Sequence, residues 1–63
     1  MKTMFDIRQL LKSYGAFIYT GDKLADLELM EDEIRELYRS GVLDANVFQS
    51  AMILLRHEIS KLR

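Results

Sequence analysis

The chain has 63 residues, one histidine, no cysteine, no proline and a formal net charge of −1. That is one domain at most, residues 1–63, without a disulfide to staple it and with too few soft ligands for a structural zinc site. A fold of this size buries only about 60% of the surface its unfolded chain exposes, so self-association is a standing alternative to a lone monomer.

The small net charge conceals an uneven layout. Residues 1–21 carry a net +2, residues 22–36 a net −5, and residues 37–63 a net +2. An acidic middle between basic ends excludes neither an acidic nor a basic partner. Asp6 and Arg8 interrupt any apolar core within "MKTMFDIRQ", and the longest purely apolar run, "AMILL" at 51–55, is far too short for a bilayer. The expectation is a soluble cytoplasmic protein.

Thr3 with Asp6 predicts a capping box opening a first helix. Its apolar face is Met4, Ile7, Leu10, Leu11 and Tyr14, and Gly15 suits a left-handed stop. The next stretch, "AFIYT", has no helical period, and three bulky groups in a row, Phe17, Ile18 and Tyr19, need either a packing partner or a ligand. Asp22 caps a second helix to about Ser40, with Leu24, Leu27, Met30, Ile34, Leu37 and Tyr38 as its stripe. Gly41 ends it. Leu43, ahead of an Asp44 cap, can staple onto Phe48, and a third helix shows Phe48, Ala51, Met52, Leu55, Ile59 and Leu62 on one face. Lys61 and Arg63 in its last turn suit the helix dipole. The fold class is all-α: a three-helix bundle in which the second and third helices form a hairpin and the first lies across it.

No catalytic constellation accompanies this scaffold. His57 adjoins Glu58 and lies three residues from Ser60, but neighbours on a helix point apart, and the pair brings no oxyanion hole. "TGDK" lacks the glycine spacing of a phosphate-binding loop. The row Glu28, Asp32, Glu36 reads as a solvated acidic face, because a straight row cannot converge on a cation. No enzyme, metal, cofactor or small-molecule substrate is expected.

Two binding readings stand instead. Tyr14 and Tyr19 lie close in sequence to Arg8, Lys12 and Lys23, and aromatic platforms among cations suit single-stranded RNA or DNA. Duplex reading fits poorly, since "DANVFQS" offers only Asn46, Gln49 and Ser50 at the start of the third helix. The alternative is a protein–protein or homo-oligomerisation module. Phe5, Leu29 and Ile53 fall off the helical stripes and, with Phe17, are candidate interface groups.

Four strings, "DIRQLLKSYG", "FIYTGD", "LMEDEIRELY" and "ILLRHE", give the chain a resemblance over nearly its whole length to the YqgQ-like family of short bacterial proteins. The resemblance implies a small cytoplasmic three-helix bundle without known enzymatic activity, of a family described as binding single-stranded nucleic acid. It transfers no ligand residue by position.

Overall fold

The structure is a computed structural model and describes residues 2–63. Three helices follow one another: α1 (Met4–Ser13), α2 (Lys23–Arg39) and α3 (Ala45–Ser60). Helices α2 and α3 share most of the interhelical contact, and α1 touches both, which is the three-helix bundle read from the hydrophobic stripes.

Local chemistry sets each boundary. Thr3 Oγ1 accepts from the Asp6 N–H at 3.3 Å, while Asp6 Oδ2 accepts from the N–H groups of Lys2 and Thr3 at 3.0 and 3.2 Å. These backbone donors hold the Asp6 carboxyl below its ordinary value. Asp22 accepts from Leu24 and Ala25, and Asp44 from Val47 at 2.8 Å, so both predicted caps are made. Helices α1 and α2 end in the same way. Gly15 N–H donates to Lys12 and Ala16 N–H to Leu11; Gly41 N–H donates to Tyr38 and Val42 N–H to Leu37. This paired pattern is the Schellman motif, and the positive φ of 82° at Gly15 is the left-handed turn it requires.

The core consists of Ile7 and Leu11 from α1, Leu27, Met30 and Ile34 from α2, Leu43 from the turn, and Ala51, Met52, Leu55 and Ile59 from α3. A ten-residue helix is too short to persist alone in water, so α1 depends on its caps and on burying Ile7 and Leu11. Leu43 is buried and Phe48 packs against the same core, as the staple requires.

Three details of the stripes are corrected. Tyr14 is not a core residue: it is the C-cap of α1, where the helix is already turning away, and it stands half exposed. Leu62 lies beyond the end of α3 and is exposed, and Lys61 is the C-cap rather than part of the last turn. Tyr38 is also partly exposed, because its ring covers Phe48 from outside, stacked at 4.2 Å with planes 13° apart.

Candidate functional site

The linker between α1 and α2 answers the question its sequence raises. Ala16 and Ile18 pack against the core, whereas Phe17 and Tyr19 are 74% and 88% exposed. Burial alternates with period two, as extended backbone dictates, so one side of the linker closes the bundle and the other offers two rings to solvent. Thr20 fixes the far end. Its N–H and its hydroxyl both donate to Asp26 Oδ1, at 2.7 and 2.6 Å, across the first turns of α2.

Two adjoining grooves flank this linker. One, of about 210 Å³, is lined by Arg8, Leu11, Lys12, Ala16, Phe17, Ile18, Tyr19 and Met30. The other, of about 460 Å³, is lined by Arg8, Ile18, Tyr19, Gly21, Lys23, Asp26 and Leu27. Four of the five residues assigned from sequence to a basic-aromatic surface, Arg8, Lys12, Tyr19 and Lys23, are thus brought together. Tyr14 is the exception and lines neither groove, because the Gly15 turn separates it from the extended stretch.

The electrostatics of this face differ from the rest of the molecule. Among the described residues Arg35, Arg39, Arg56, Lys61 and Arg63 are in ion pairs, while Arg8, Lys12 and Lys23, and Lys2 outside the grooves, are in none. Arg8 and Lys12 stand at i,i+4 on α1, a like-charge spacing that costs about 0.2–0.5 kcal/mol and that an anion between them would relieve. Glu58 is held below its ordinary value mainly by the Lys61 ammonium at 2.9 Å, with Lys23 a smaller contributor. Asp26, the one acid lining the grooves, accepts both Thr20 bonds at one oxygen and keeps its negative charge, so the second groove carries Arg8 and Lys23 against one carboxylate.

Elsewhere most of the cations are paired. Each member of the acidic row has a cation: Glu28 pairs with Arg63 at 3.0 Å, Asp32 with Arg35 at 3.4 Å, and Glu36 with Arg39 at 3.2 Å. A third groove, between α2 and α3, places Arg56 and Arg63 beside Glu31 and Glu28 and so holds no unbalanced charge. The hydroxyl of Ser60 donates to the main-chain oxygen of His57 at 2.7 Å.

The interface candidates divide. Phe17 belongs to the cationic groove. Phe5, 66% exposed, stands at i,i+3,i+7 with Arg8 and Lys12 and shares their side of α1. Leu29 and Ile53 lie on the outward sides of α2 and α3, 44% and 69% exposed, and are not part of this surface. Two things escaped sequence reasoning: the grouping of Phe17 with the cations, and the Thr20–Asp26 clamp. The glycines flanking "AFIYT" were the available signal for an extended stretch, and period-two burial follows from it.

Fold and grooves together define a small all-α protein whose two longer helices carry a short third helix and an aromatic linker with unpaired cations. The chain belongs to the YqgQ-like family, whose model matches residues 1–61. It is 36% identical over 61 residues to the Bacillus subtilis (strain 168) protein named "Uncharacterized protein YqgQ", a match covering 97% of this chain and 86% of that one. No helix among the described residues is long and apolar enough to cross a membrane.

Proposed function

We propose that this protein is a cytoplasmic, non-enzymatic module that binds single-stranded nucleic acid, RNA or DNA, through the twin grooves beside the linker. One observation carries the reading. Arg8, Lys12 and Lys23, all without ion pairs among the described residues, line the grooves with the exposed rings of Phe17 and Tyr19, while five of the six other cations are paired with acids and the sixth, Lys2, lies outside the grooves. Exposed rings give bases a stacking platform worth about 1–3 kcal/mol each, and free cations release counterions from phosphates. The start of α3 suits a duplex poorly, since its polar side chains are Asn46, Gln49 and Ser50 and its first turn carries no cation.

The test is fluorescence anisotropy of a labelled single-stranded oligonucleotide across a salt series. With three phosphates neutralised, the logarithm of affinity should fall against the logarithm of salt with a slope of about −2. Flat anisotropy at low salt, up to high micromolar protein, would overturn the proposal.

A further inference from the structure

The two grooves have a common wall. Arg8, Ile18 and Tyr19 line both, Lys12 stands only on the first, and Lys23 only on the second. Along this face the cations therefore fall in the order Lys12, Arg8, Lys23, with one groove between each pair and the Asp26 carboxylate on the wall of the second. A single polynucleotide strand alternates in the complementary way, with a charge between each pair of apolar planes.

We infer that the site is built for a dinucleotide step, one base in each groove, with the phosphodiester that joins them held on Arg8. This rests on the nucleic-acid reading above and gives that site its footprint. The first groove, at about 210 Å³, is smaller than the ~300–1,000 Å³ that drug-sized ligands occupy, which suits a single ring system over Leu11 and Met30. Arg8 suits the central position because a planar guanidinium can donate two parallel bonds to one phosphate, whereas Lys12 and Lys23 act as point charges at the flanks. Tyr19 on the shared wall can stack on either base, and Phe17 borders the first groove alone. Among the described residues the N–H groups of Phe17, Ile18 and Tyr19 make no hydrogen bond, which leaves donors on the linker for base edges.

The experiment is a chemical-shift titration of the intact protein at low salt with mono-, di-, tri- and octathymidylate, each bearing a 5′-phosphate, alongside a long oligothymidylate. The dinucleotide should bind at least about fivefold tighter than the mononucleotide, the increment of one added stacked base. The trinucleotide adds the third phosphate for the remaining flanking lysine, and beyond three residues affinity should rise only as the number of overlapping registers. Arg8→Gln should erase the gain from one to two residues, with the helical circular dichroism unchanged. If the long strand binds but affinity climbs steadily to the octamer, or the gain survives Arg8→Gln, the two-nucleotide footprint is wrong and the nucleic-acid reading stands. If the long strand does not bind either, the nucleic-acid reading itself falls.

Discussion

Thr20 and Asp26 are joined twice at one oxygen, the backbone N–H at 2.7 Å and the hydroxyl at 2.6 Å, and this pair anchors the linker to α2. Between Ala16 and that clamp, only Ile18 packs on the core, so the grooves owe their shape to one apolar contact and one carboxylate. Thr20→Val removes this hydroxyl donor and the acceptor for the Asp22 N–H at 3.2 Å, and should cost about 1.5–3 kcal/mol, the range for a hydrogen bond to a charged group. For a domain of this size that lowers the melting temperature by roughly 4–8 °C per kcal/mol, and a melt followed by circular dichroism reads it.

Tyr14 and Tyr19 are chemically the same and structurally distinct. Tyr19→Ala should weaken oligonucleotide binding by about five- to 150-fold, the loss of one stacked base, without a change in melting temperature. Tyr14→Ala, outside both grooves, should leave affinity within about twofold. Equal losses from the two substitutions would show that the strand does not follow the grooves.

Gly15 sits at φ 82° with open space where a Cβ would point. Gly15→Ala meets no clash, so its cost is that of the left-handed backbone alone, about 1–2 kcal/mol. The expected outcome is a lower denaturant midpoint with an unchanged slope, since the native surface is the same.

Helix α1 contributes only Ile7 and Leu11 to the fully buried core. Leu11→Ala should cost about 2–5 kcal/mol, enough to release α1 and with it Arg8 and Lys12. Phe5→Ala, on the exposed side of the same helix, should stay within about 0.5 kcal/mol. Urea unfolding of the two variants side by side checks the contrast.

Asp6 has a lowered pKa in the folded chain through the N–H donors of Lys2 and Thr3, and the unfolded chain keeps the ordinary value. The folded state therefore binds this proton less readily. Its contribution to stability is complete above the ordinary carboxylate pKa and is lost as pH falls through that value and then the lowered one. Melting temperatures of the protein and of Asp6→Asn should differ most near neutral pH and converge in acid. Glu58, also lowered, leaves a residual acid dependence in the variant.

The helices were legible because each carries its own local signals. Thr3, Asp22 and Asp44 are caps whose hydrogen bonds reach only two or three residues, and Gly15 and Gly41 close turns within five. Leu27, Ile34 and Leu55 are found where a 3.6-residue period puts them, fully buried. The period misleads at the ends: Tyr14 and Leu62 continue a stripe past the point where the helix stops, so each falls outside the core.

Linear order alone thus determined which segments are helical, where they stop and which sides they bury, because those choices are made by bonds and packing periods a few residues long. It also suggested a basic-aromatic surface of Arg8, Lys12, Tyr14, Tyr19 and Lys23, of which all but Tyr14 line the grooves. Only the tertiary structure decided that these four line adjoining grooves, that Phe17 joins them, and that Glu28, Asp32 and Glu36 pair with Arg63, Arg35 and Arg39 instead of with Arg8, Lys12 or Lys23. The physical reason is range. Arg63 reaches Glu28 across 35 residues of chain, and which charges remain free is settled only when the helices have packed.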